Sequence, residues 1–186
     1  DLDAVQAELD ALAVAPLTGP VADEVGALIG HIVSVHHTYL RRELPRLGEL
    51  MVKVIAAHGT AHPEVHDMAA TLEELSADLL PHLLKEERVL FPLAIELLGA
   101  VEPTGLHGGS VTNPIRVMNS EHDRVGELLV TLRRQTGGYE PPEDACPTWR
   151  ALYAGCAEME ADVHQHVHLE NNLLFPKIIG LEAALG

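Results

Sequence analysis

The chain is poor in cations, in aromatic rings and in cysteine, and it has no long apolar run. Twelve Lys and Arg stand against 28 Asp and Glu, a formal charge of −16. A surface of that sign repels phosphate backbones and anionic lipid, and no compact basic cluster reverses it locally, so neither nucleic acid nor membrane is an expected partner. Aromatic residues make up 3% of the 186 positions. A core of Leu, Val, Ala and Ile with so few rings favours helix packed on helix over β-sheet. Two cysteines, Cys146 and Cys156, are too few for a disulfide framework or a four-thiolate zinc site. Ten positions apart on one helix they would be about 15 Å from each other, so they read as free thiols of a reducing compartment. No stretch approaches the roughly 18 apolar residues of a membrane span, and the opening Asp1-Leu2-Asp3-Ala4 is not a signal peptide, so a cytoplasmic location is expected. The absence of an initiator Met fits a piece of a longer chain.

What the chain does have is histidine, 12 in all, as many as Lys and Arg together. That excess points to metal. Breakers at Pro16 to Pro20, Gly59 to Pro63, Gly99 to Pro114 and Gly137 to Pro147 leave a short N-terminal segment and four long ones. The long segments carry apolar residues or His at alternating spacings of three and four, the seam of a packed helix. The first has Val33, His37, Leu40, Leu44, Leu47, Met51, Val54 and His58. The second has Met68, Leu72, Leu75, Leu79, His82, Glu86, Val89 and Leu93. The third has Ile115, Met118, His122, Val125, Leu129 and Leu132, after Asn113-Pro114, which reads as an N-cap and first helical residue. The fourth has Leu152, Cys156, Met159, Val163, His166, Glu170 and Leu173. Pro45, Pro81, Pro92 and Pro176 fall inside these segments, where kinks or helix ends are expected. The fold class is all-α: an antiparallel, up-down-up-down four-helix bundle with a short N-terminal helical segment.

Each seam buries a group that costs several kcal/mol in hydrocarbon unless it is paired, and a cation answers all of them at once. The pattern is duplicated. His82 and Glu86 lead to Phe91-Pro92, and His166 and Glu170 lead to Phe175-Pro176, at an offset of 84. His37 and His122 are 85 apart, so two halves each give two imidazoles and a carboxylate. Positions i and i+4 share a helix face about 6 Å apart, which joins His82 to Glu86 and His166 to Glu170, while Glu87 points away. His58 lies about 31 Å along the helix from His37 and cannot share its site. His36 is the alternative to His37 if the phase is off by one. His31, His62, His66 and His107 fall in loops or off the seam, and His164 and His168 face solvent. The six expected metal ligands are thus His37, His82, Glu86, His122, His166 and Glu170. Mixed imidazole and carboxylate ligation at a two-metal centre suits iron, or manganese by substitution, better than structural zinc. With both glutamates bridging, each ion keeps open positions for O2, NO, peroxide or a bridging oxide or hydroxide. Glu121, next to His122, is the candidate catalytic acid that orients an imidazole or relays a proton.

The segments His36-His37, His82 to Glu87, Ser120-Glu121-His122-Asp123 and His166 to Asn172, both Phe-Pro ends, and Asp144-Ala145-Cys146 with Thr148-Trp149 resemble the hemerythrin-like proteins of the repair-of-iron-centres group, over roughly residues 21–180. The resemblance implies a non-haem di-iron bundle that helps restore iron-sulfur clusters damaged by nitrosative or oxidative stress. NO reduction and iron donation are the two activities it brings, with damaged iron-sulfur proteins as partners. Reaction with peroxide and a non-enzymatic O2 or redox sensor are the competing readings. Members of that group carry a small N-terminal domain with an adjacent Cys pair. Residues 1–20 are read as a segment that can be its tail, and 21–186 as the di-iron domain. Respiratory hemerythrins use five histidines where this seam offers four, which speaks against oxygen storage. The ferritin-like order, Glu followed three residues later by His, is reversed here, which speaks against a ferroxidase cage.

Overall fold

The computed structural model describes residues 21–99 and 110–185. The short N-terminal segment and His107 lie outside them. The described residues form four rods. The first joins α1 (Val21–Ile32) through a π-turn (Val33–His37) to α2 (Thr38–His58). The second joins α3 (Glu64–Lys85) through a π-turn (Glu86–Leu90) to α4 (Phe91–Gly99). The third is α5 (Thr112–Gln135), unbroken. The fourth joins α6 (Pro147–His168) through a π-turn (Leu169–Leu174) to α7 (Phe175–Leu185). Among the described residues there is no strand, and the rods form the expected four-helix bundle, the first against the second and fourth and the second against the third.

The π-turns correct the seams. In each, a backbone N–H reaches back five residues, as Phe91 does to the Glu86 carbonyl and Phe175 to that of Glu170. One residue is thereby inserted into the helical repeat, and every later side chain is turned by about a residue's worth of rotation. So Val89 is not buried as the seam required but 48% exposed, and Leu90 takes its place. Leu173 is half-buried while Leu174 is in the core. The prolines divide two and two. α2 and α3 continue through Pro45 and Pro81, held by the buried Leu44, Leu47, Leu79 and Leu83 beside them. Pro92 and Pro176 follow directly on π-turns, where the missing N–H falls at a break the ladder already has.

α5 starts before Asn113, at Thr112, and Asn113 is no cap: its side chain accepts from Arg116 instead. The Val111 N–H is met by Glu182 and that of Thr112 by Ser110 Oγ. At its other end Gly137, Gly138 and Tyr139 all have positive φ, reversing the chain, with the Tyr139 N–H on Thr136 Oγ1. Cys146 then stands at the N-cap of α6 with Pro147 behind it.

The apolar interior comes in two parts. A long cluster runs from Leu40 and Leu83 to Trp149, and a shorter one from Ile32, Leu90, Met118 and Leu169 to Ile178. Between them lies a buried polar layer.

Candidate metal centre

That layer is where the seam residues meet. His37 ends the first π-turn, Glu86 opens the second, and Glu170 is the second residue of the third. His82 lies in the last turn of α3, His166 in the last turn of α6 and His122 midway along α5. All six are buried, Glu86 and Glu170 at 0% exposure. They form two groups: His37, Glu86, His166 and Glu170, and His82, Glu86, His122 and Glu170, with candidate ligand atoms within 4.8 Å of one another in each. Both carboxylates belong to both groups.

The oxygens divide between the groups. Glu86 Oε2 lies 3.3 Å from His37 Nε2, and its Oε1 lies 3.4 Å from His82 Nε2. Glu170 Oε1 lies 3.0 Å from His166 Nε2, and its Oε2 lies 3.1 Å from His122 Nε2. Each glutamate therefore turns one oxygen to each imidazole pair.

Hydrogen bonds behind the rings fix the tautomers. His37 Nδ1 donates to Glu87 Oε1 at 2.7 Å, His82 Nδ1 to Glu121 Oε2 at 2.9 Å, and His122 Nδ1 to Asn171 Oδ1 at 2.9 Å. These oxygens only accept, so the Nδ1 atoms carry the protons and the Nε2 lone pairs face inward. The lone pairs of His82 and His122 then face each other, Nε2 to Nε2 at 3.1 Å, and His37 Nε2 lies 3.2 Å from His166 Nε2. A proton or a metal cation is needed between the facing lone pairs. Both Glu86 oxygens and Glu170 Oε2 are buried without a hydrogen-bond partner. Two imidazole nitrogens with two carboxylate oxygens, twice over, fit a pair of divalent first-row cations. Ionised carboxylates without such a partner would cost several kcal/mol each.

The charges respond accordingly. Burial acts to lower the His82 pKa, but the Glu86 hydrogen bond and charge, with Glu121 and Glu170, outweigh it and push it up to about 9. His37 is raised by the same balance, burial against Glu86 and Glu87. Burial would raise Glu170, yet His166 and His122 hold it well below the usual carboxylate range. The supporting acids are themselves braced, Glu87 by Arg41 at 2.8 Å and Glu121 by Lys85. Both are lowered against the opposing effect of burial.

The other histidines separate clearly. His36 is buried beside the layer but belongs to neither group; its Nδ1 meets Asp162 Oδ1 at 2.9 Å. His58 is at the other end of the bundle, its ring 4.9 Å from that of Trp149. His31, His66 and His164 are exposed. His62 bonds to Glu64 and Asp144. His168, expected in solvent, is half-buried against Asn172. Sequence reasoning missed Glu87, Asn171 and Asp162. Glu87 looked misdirected because a regular helix sends i+5 away from i, whereas the π-turn that begins at Glu86 redirects it to His37. The adjacent acid in Glu86-Glu87 and the amides of Asn171-Asn172 were the available signals.

The chain is similar to known proteins. A model of the hemerythrin HHE cation-binding domain matches residues 28–178. The chain is 38% identical over 181 residues to an iron-sulfur cluster repair protein YtfE of Yersinia pseudotuberculosis serotype IB (strain PB1/+), covering 96% of this chain and 78% of that one. A protein of the same name from Yersinia pestis (strain Pestoides F) matches at the same identity and coverage.

Proposed function

The chain belongs to the hemerythrin HHE cation-binding domain family, and from that premise we propose that it is a di-iron protein of iron-sulfur cluster repair. His37 and His166 would hold one iron and His82 and His122 the other, with Glu86 and Glu170 shared between them. The observation that carries this is the division of both buried carboxylates between two imidazole pairs. When bound, the two irons supply one-electron chemistry and open positions for a small ligand such as NO, O2 or peroxide.

The protein's own groups do the rest. Glu87, Glu121 and Asn171 keep the Nε2 lone pairs of His37, His82 and His122 turned inward and raise their basicity. Glu121 is also only partly buried, so it is the group placed to pass a proton between solvent and His82 Nδ1. Phe91 stacks on His37 at 5.8 Å and Phe175 on His122 at 6.0 Å, keeping water from the rings. Under nitrosative or oxidative stress this centre acts through NO reduction or iron donation, with damaged iron-sulfur proteins as the recipients. Residues 21–186 are the unit that does this. Among the described residues no helix is long and apolar enough to cross a membrane.

Iron per chain tests the assignment. Near two in the wild type, falling sharply in Glu170→Ala, is the expected result; equal content in both sinks it. Anaerobic mixing of the reduced protein with NO, with gas analysis for N2O, separates the activities. A stable nitrosyl without turnover leaves iron donation, read as recovery of activity in a cluster-damaged enzyme.

A further inference from the structure

The six residues of the layer are at least nine-tenths buried, so an ion bound there has buried ground to cross on its way to or from bulk water. We propose that His31 and His36 form a lane of imidazoles by which a divalent first-row cation enters and leaves the His37–His166 side of the centre. This rests on the reading that the centre holds metal.

Four observations carry it. His36 is 1% exposed, and its Nδ1 is held by Asp162 Oδ1 at 2.9 Å, the carboxylate-imidazole pairing seen behind His37 and His82. With the proton on Nδ1, the lone pair is on Nε2, and that atom is buried without a partner. Asp162 Oδ2 and His166 Nδ1 are likewise buried and unpartnered. Finally, the rings stand in file: His31 is exposed and meets His36 edge-on at 5.6 Å, and His36 lies flat against His166 at 5.6 Å with 4° between planes. The π-turn makes this possible. It sets His36 and His37 both inward on one helix, and brings His36 under His31, five residues earlier. A ligand-competent imidazole lying outside both four-residue groups, yet stacked on a member of one, has the placement of an exchange ligand.

The test is ion traffic, not turnover. Protein loaded anaerobically with Fe2+, and separately with Co2+, is assayed for ions per chain and then for the rate of release to an excess of a strong chelator. His36→Phe keeps a ring against His166 and removes the ligand, and His31→Gln alters only an exposed position. Ion content near two in all three proteins, with release slowed about tenfold or more in both variants, is the expected result, on the scale of losses from ligand-supporting residues. Wild-type rates in either variant overturn the lane while leaving the centre intact. Wild-type content far below two overturns the centre itself. Circular dichroism checks that His36→Phe is folded; if it is not, His31→Gln decides alone.

Discussion

Removing the metal should make the protein's stability fall as the pH rises, the reverse of what carboxylate-driven acid unfolding gives. In the metal-free protein His82 takes up a proton that Glu86 and Glu121 hold, which raises its pKa from 6.5 to about 9 although burial opposes it. A group whose pKa is higher folded than unfolded stabilises fully below the unfolded value, and that contribution is lost as the pH passes the folded one. The window is therefore from about 6.5 up to about 9. A shift of roughly 2.5 units at about 1.36 kcal/mol each is worth about 3 kcal/mol. For a chain of this size that corresponds to a Tm lower by about 6–12 °C at the alkaline end. His37, raised in the same direction, adds to the fall. With metal bound, the Nε2 lone pairs are taken and the alkaline loss should vanish; metal affinity instead weakens on acidification, as protons compete for the same nitrogens. Calorimetry of chelator-stripped and iron-loaded protein between pH 6 and 9.5 reads both curves. His82→Leu should flatten the metal-free one. A metal-free Tm that is level or rises across that window would refute the charge assignment.

Glu121→Ala should weaken binding of the His82–His122 ion by about 10- to 100-fold, measured by metal titration, because the imidazole loses the acceptor that fixes its tautomer. Tyr139→Phe removes a hydrogen bond to the buried Glu160 side chain, which Arg133 also holds, so it should cost about 1.5–3 kcal/mol in urea unfolding while iron per chain stays at two. Cys146 should react alone in the native protein. The Trp149 N–H, His58 and the Thr148 N–H bring its thiol down to about 7, whereas burial pushes Cys156 up to about 12. A chromogenic disulfide at pH 7.5 should therefore count one thiol before denaturation and two after it; two fast native thiols would contradict this.

The helices, their order and the six residues of the polar layer were legible because burial repeats at helical spacing and because the motif occurs twice. His82 with Glu86 and His166 with Glu170 are local pairs, readable from an i, i+4 offset. The π-turns were not legible, since the three-and-four spacing of apolar residues carries no mark of an inserted residue. Their effect is a local phase change, so errors fall within them, at Val33, Val89 and Leu173. Glu87 was misread for the same reason. The choice between His36 and His37 was posed as exclusive, but an inserted residue lets both face inward. Asn171 and Asp162 could not be matched to His122 and His36, which sit on other rods, because distance across a bundle has no trace in local spacing.

The division of the interior into two apolar clusters bears on how the molecule comes apart. The proposed ions would tie the two clusters across the polar layer, so stripping them should loosen the smaller block, built on Phe91, Phe175 and Ile178, first. Its amides should exchange with deuterium well ahead of those around Leu75 and Leu132 in the metal-free protein, and at a common rate once iron is restored. Closing of that gap on iron loading would make the metal the clasp that lets both ends of the bundle melt as one.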